Sequence, residues 1–105
     1  MKWKDGLRLW RKLRNIKEPQ GAFVESIEEE LTEYRLACKG LYMDKDGAIQ
    51  EFATPDEAQH AKIDAIADIL VFAANECELE GYDLDLVMKQ VVKHISAILT
   101  SSIID

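Results

Sequence analysis

Glu29-Glu30-Leu31-Thr32-Glu33 and the pair Asp64 and Asp68 are the residues of this 105-residue chain whose types and spacing could do chemistry. Glu30 and Glu33 are three apart and Asp64 and Asp68 four apart, so on a helix each pair points one way. Glu57 and Asn75 extend the line of the aspartates. Around that line run Ile63, Ile66, Ile69, Leu70, Val71, Phe72, Ala73, Ala74 and Cys77. They describe a helix packed on several faces with a polar stripe cut into it. Unpaired carboxylates in such a setting cost several kcal/mol each unless cations, protons or water attend them. Cations are scarce, because residues 18–88 hold only Arg35, Lys39, Lys45 and Lys62. Two neighbouring helices would bring Glu30, Glu33, Asp64 and Asp68 together across one interface. An all-oxygen set without a His or Cys cluster suits a hard ion, Mg2+ or Mn2+. Glu25, Glu28 and Glu29 read as a solvated face, and His60 and His94 as surface or boundary residues.

Four helices are needed to position these groups. The first is expected over residues 3–16, ending before Glu18-Pro19-Gln20-Gly21. The second runs from Ala22 to Cys38, with Val24, Ile27, Leu31, Tyr34, Cys38 and Leu41 as its apolar stripe and Gly40 as its stop. Asp46-Gly47, between Leu41-Tyr42-Met43 and Ile49-Gln50-Glu51-Phe52, marks a short hairpin or a structured loop. Asp44-Lys45-Asp46-Gly47 reads as a turn, because the 12-residue calcium-loop pattern does not continue. The third helix starts at Thr54-Pro55-Asp56-Glu57, with Thr54 as N-cap and Glu57 closing a capping box, and runs to Glu80 before Gly81. The fourth follows from Asp83 to about Thr100, burying Leu84, Val87, Met88, Val91, Ile95 and Ile98. Short connections make the fold all-α, an antiparallel four-helix bundle in one domain spanning residues 1–105.

Composition limits the function classes. Apolar residues make up 48% and charged residues 31%, the balance of a globular chain and not of a disordered one. The longest nearly apolar run, Ala65 to Ala74, falls far short of the roughly 20 residues that span a bilayer. No leader pattern is visible, and Cys38 and Cys77 lack CxxC spacing, so a cytoplasmic protein without a disulfide framework is expected. Residues 1–17 carry seven Lys/Arg against Asp5 alone, a net +6, while the other 88 carry 19 acids and six bases, a net −13. The basic segment reads as an amphipathic helix with a solvated cationic face. So acidic a remainder would repel a nucleic-acid backbone.

In this constellation the sequence resembles the MazG-type all-α nucleoside triphosphate pyrophosphohydrolases, whose signature is EExxE followed by ExxD on a second helix. Glu29-Glu30-Leu31-Thr32-Glu33 matches the first element in full. Asp68-Ile69-Leu70-Val71-Phe72 is similar to the stretch that the second element's aspartate opens, and Asn75 and Gly81-Tyr82-Asp83 follow at family spacing. The resemblance covers residues 22–98. It departs at Ala65, where the ExxD glutamate would fall and Asp64 stands one place earlier. It departs again at Val92 and His94, where many relatives carry Asn and Lys. The longer segment between the acidic elements marks a divergent subtype.

The resemblance implies hydrolysis of an NTP or dNTP to a nucleoside monophosphate and pyrophosphate, a nucleotide-pool house-cleaning reaction. Glu30, Glu33, Asp64 and Asp68 would hold Mg2+, with Glu29 beside a metal-bound water as base or orienting group. Asn75 would contact the nucleotide, and Lys89, Lys93 or the basic first helix its phosphates. Trp10 and Tyr34 could stack on the base, although core packing explains both. Family membership also implies a homodimer or a dimer of dimers, with neighbouring subunits finishing the pocket. The alternatives are a phosphoribosyl-ATP pyrophosphohydrolase and a non-catalytic helical interaction module.

Overall fold

The computed structural model describes residues 2–104, with side chains described as far as Ser96. Four helices and one hairpin follow in the order α1 (Trp3–Leu13), α2 (Phe23–Cys38), β1 (Leu41–Met43), β2 (Ile49–Glu51), α3 (Pro55–Leu79) and α4 (Leu84–Ile104). The chain is mostly helical, in keeping with an all-α fold.

Local chemistry explains the boundaries. α1 ends at Leu13, three residues earlier than expected, because Asn15 turns to a φ of 56°. The amides of Asn15 and Ile16 then donate to the carbonyls of Lys12 and Arg11, a left-handed cap that asparagine tolerates. The same pair of bonds closes α3, where Gly81 adopts a φ of 92° and the Tyr82 amide reaches the Cys77 carbonyl. At the start of α3 the Thr54 hydroxyl accepts from the Glu57 amide at 3.2 Å, as expected of an N-cap. The Glu57 carboxylate closes the box on the Ala53 amide, one residue before the cap.

Residues 41–51 form the hairpin, with Leu41 opposite Glu51, Tyr42 opposite Gln50 and Met43 opposite Ile49. Asp44 holds its turn. One carboxylate oxygen accepts from the amides of Asp46 and Ala48, both at 2.9 Å, and the other from Gln50 Nε2. These bonds hold the Asp44 carboxyl below its ordinary value, so the group is engaged in the turn itself.

The closest helix packing joins α2 to α3, and its buried positions are small. Ala37 of α2 and Ala58, Ala65 and Ala74 of α3 are buried, as is Leu84 at the start of α4. Ala58 and Ala65 are seven apart and share one face; Ala74, nine further on, lies about half a turn round. Large residues expected inside are outside. Val24 and Leu31 of α2, Ile63, Ile66, Leu70 and Val71 of α3, and Met88, Val91 and Ile95 of α4 are all exposed. Cys38 is exposed too, and Ile98 lies outside the described side chains. The reason is geometric, since α4 meets α3 only sparingly and, among the described residues, these side chains stay exposed.

α1 reaches the body through charge. It has no buried residue; Arg8 and Arg11 pair with Glu78 of α3, and Lys4 pairs with Asp85 of α4. The radius of gyration is 17.7 Å, against about 13 Å for a compact chain of this length. Among the described residues no helix is long and apolar enough to cross a membrane.

Candidate functional site

Glu30 is the one buried charged residue of the described chain, 8% exposed, on the face of α2 that meets α3. It shares that face with Ala37, two turns on. Its Oε2 has no hydrogen-bond partner. The carboxyl is pushed up to about 7, first by burial, then by hydrogen bonding with Glu33 and by the charges of Glu33, Asp68 and Glu29. Two ionised carboxylates offer no donor to each other, so that bond requires a shared proton. Every neighbour that shifts Glu30 is an acid, and none is a cation.

Beside Glu30 opens a cleft of about 410 Å³. Glu33, Asp64 and Asp68 form its acidic side, and Leu41, Tyr42, Met43, Phe52 and Ala61 line the rest. The structure therefore gathers Glu33, Asp64 and Asp68 around one opening, and Glu33 and Asp68 are near enough to shift the Glu30 carboxyl. Asp64 and Asp68 are exposed within the protomer and not sunk in a buried stripe. Ala65 explains the difference. Its Cβ occupies the α2–α3 seam at 2% exposure, which leaves Asp64 on the flank. Among the described residues, no group of three or more His, Cys, Asp or Glu side chains stands assembled as a metal-holding cluster. Like charges at this range repel one another.

The remaining expected residues are spread more widely. Glu29 lines an adjoining groove of about 540 Å³ with Glu25, Glu28, Thr32, Leu36, Met43 and Asp44, and Glu33 borders both openings. Asn75 accepts a hydrogen bond from Arg11 Nη1 at 2.7 Å. It lies seven residues beyond Asp68, about 10 Å along the same side of α3. Arg11 Nη2 also reaches Glu78 Oε1 at 2.8 Å, and Arg8 Nη2 reaches Glu78 Oε2 at 2.5 Å. These two arginines, Arg8 foremost, hold the Glu78 carboxyl below its ordinary range. The basic helix thus turns several cations toward the body, where a wholly solvated cationic face was expected. Lys89 and Lys93 are exposed on α4, and no described contact joins them to the cleft.

The aromatic expectations are redrawn. Trp10 is 41% exposed and carries the Arg14 guanidinium 4.5 Å from its ring centre, so it is not a core residue. Tyr34 is half-buried and does not line the cleft. Tyr42 and Phe52 do line it, their ring centres 4.8 Å apart with planes inclined at 42°. The aromatic residues flanking the Asp46-Gly47 turn were the only signal that could have pointed to them. Arg11 and Glu78 were visible only as charges, since their contact spans 67 positions. His60 is exposed and shares a smaller pocket of about 330 Å³ with Asp56, Glu57 and Asp64. Comparison of the chain with protein-family models, with curated proteins and with solved structures found no match in any of the three.

Proposed function

We propose that the chain is a magnesium-dependent nucleotide pyrophosphohydrolase that splits an NTP or dNTP between its α and β phosphates, releasing a nucleoside monophosphate and pyrophosphate in nucleotide-pool house-cleaning. The observation that carries this reading is Glu30, a buried carboxyl with an orphaned oxygen whose influential neighbours are all acids. That crowding is tolerable with a shared proton or with a divalent cation. An oxygen-only donor set fits a hard ion, so Glu30, Glu33, Asp64 and Asp68 would hold Mg2+, with Mn2+ as a substitute. When bound, the ion neutralises triphosphate charge and polarises the α-phosphorus.

The chain's own groups have separate tasks. Glu33 borders both openings and would join the ion to the outer groove, where Glu29 would orient a water and accept its proton. Asp64, with its shorter arm, would replace the glutamate missing at Ala65. Asn75 would bind the nucleotide, and Lys89, Lys93 or the basic first helix its phosphates.

The active form in this reading is a homodimer or a dimer of dimers. The protomer exposes 8353 Å² of surface, against about 6,000 Å² for a compact monomer of its mass. The excess, roughly 2,400 Å², is of the size that obligate pairs of chains bury, and a second copy on α3 and α4 would complete the four-helix bundle.

The test is a panel of canonical and modified triphosphates assayed for Mg2+-dependent pyrophosphate. Glu33→Gln and Asp68→Asn should each lose most activity, and wild-type rates in either would count against the site. Activity that survives Asp64→Ala would remove Asp64 from the ligands. One observation favours a second reading, a non-catalytic helical interaction module: the acids are not preassembled as a metal-holding cluster among the described residues. Such a module would release no pyrophosphate from any member of the panel.

A further inference from the structure

The hairpin between the two acidic helices is the one cleft-forming element to which the proposed reaction assigns no task. Leu41, Tyr42, Met43 and Phe52 form the wall of the 410 Å³ cleft that Glu33, Asp64 and Asp68 border on its other side. Opposite chemistries therefore face one space, carboxylates that call for a cation and a wall that calls for a flat apolar group. Cross-strand pairing explains how the wall is held. Tyr42 stands opposite Gln50, the Phe52 amide donates to the Gly40 carbonyl at 2.8 Å, and the two rings meet diagonally across the strands. Asp44 fixes the turn through its bonds to two amides and to Gln50, so the wall stands on a braced hairpin. Tyr42 is 39% exposed and keeps ring surface open to a ligand.

We infer that Tyr42 and Phe52 form a base-contacting wall, and that the cleft takes a substrate bearing a planar heteroaromatic ring joined to a polyphosphate. The inference rests on the proposed cation site and deepens it. The carboxylates and their ion take the phosphate end and the hairpin takes the ring, which excludes inorganic polyphosphate as the preferred substrate. The cleft's 410 Å³ falls within the roughly 300–1,000 Å³ of small-molecule sites. Stacking a base on an aromatic side chain is worth about five- to 150-fold in affinity. Two rings at the wall also make the hairpin a determinant of base preference, set by which ring edges the tyrosine hydroxyl can reach.

Two variants, Tyr42→Leu and Phe52→Leu, keep an apolar side chain and remove the ring. With magnesium and a nucleoside triphosphate, each should raise KM about tenfold and leave kcat within about twofold. Tripolyphosphate turnover and magnesium binding by calorimetry should be unchanged in both. A second measurement uses the unaltered protein, following its aromatic proton resonances while a nucleoside triphosphate or tripolyphosphate is added with magnesium. Tyr42 and Phe52 should shift with the first and not with the second. Unchanged KM in both variants, with pyrophosphate release intact, overturns the wall and leaves the pyrophosphohydrolase reading standing. Ring-dependent shifts without pyrophosphate release from any triphosphate support the wall and overturn that reading. Resonances unmoved by a nucleoside triphosphate overturn the wall.

Discussion

Glu30 and Glu78 are both glutamates shielded by neighbouring helices, and they answer opposite demands. Glu30 lies in the α2–α3 seam among Glu33, Asp68 and Glu29, and its carboxyl is raised to about 7. Glu78 lies near the far end of α3 between Arg8 and Arg11, with its side chain 11% exposed and its carboxyl lowered. One carboxylate is a cost that packing imposes on the fold; the other is the anchor that seats α1. A structural carboxylate is found with its cations already in place. Glu30 has only acids among the neighbours that shift it.

Acid should separate the two regions most clearly. Between the ordinary carboxylate range and about pH 7, folded Glu30 holds a proton that the unfolded chain has released, so stability falls as pH rises through that window. The cost at pH 8 is on the order of 3 kcal/mol. Glu30→Gln should abolish it, raising the melting temperature at pH 8 and leaving that at pH 4.5 nearly unchanged. Glu78 runs the other way. Its lowered carboxyl contributes stability above the ordinary range, and that contribution is lost as pH falls through the folded value. A wild-type melting profile as steep as that of Glu30→Gln from pH 5 to 8 would break the contrast.

Packing sharpens the same comparison. Ala65, 2% exposed between α2 and α3, leaves no room for a larger side chain. Ala65→Leu should cost about 1–3 kcal/mol in urea unfolding, because the seam must spread to accept it. α1 answers to salt instead. It has 11 residues and no buried side chain, too short for a stable helix in isolation, so it depends on the seat that Glu78 provides. Glu78→Gln should speed hydrogen exchange of the α1 amides about tenfold with α2 and α3 unchanged. Wild-type protein in 1 M salt should move the same way. The smallest effect belongs to the exposed pair of Lys4 and Asp85, where Lys4→Gln should leave α1 exchange within about twofold of wild type.

Residues that act on near neighbours were legible in the sequence. Thr54 and Pro55 start α3, Gly81 ends it, Asp46-Gly47 turns the hairpin, and the helical spacing of Asp64 and Asp68 brings both to one cleft. What escaped depends on distant parts of the chain. The apolar stripes of α3 and α4 predicted burial, and periodicity cannot say whether the covering surface belongs to the same chain. The α2 stripe through Val24 and Leu31 misjudged the inward face by a fraction of a turn, because Glu30 and Ala37 hold it. Small residues won the seam because they let two helices approach closely, which a count of large apolar positions does not register. Arg11 with Asn75, and the hairpin's Tyr42 and Phe52 lining one cleft with Asp68, depend on how distant elements pack.

Calorimetric titration of the wild-type protein with Mg2+ at pH 7.5, beside Glu33→Gln and Asp68→Asn, tests the carboxylate cleft most directly. Wild type should bind magnesium saturably and both variants should lose that binding, with the fold retained by circular dichroism. A wild-type protein that takes up no magnesium, or variants that bind it as well as wild type does, would contradict the account.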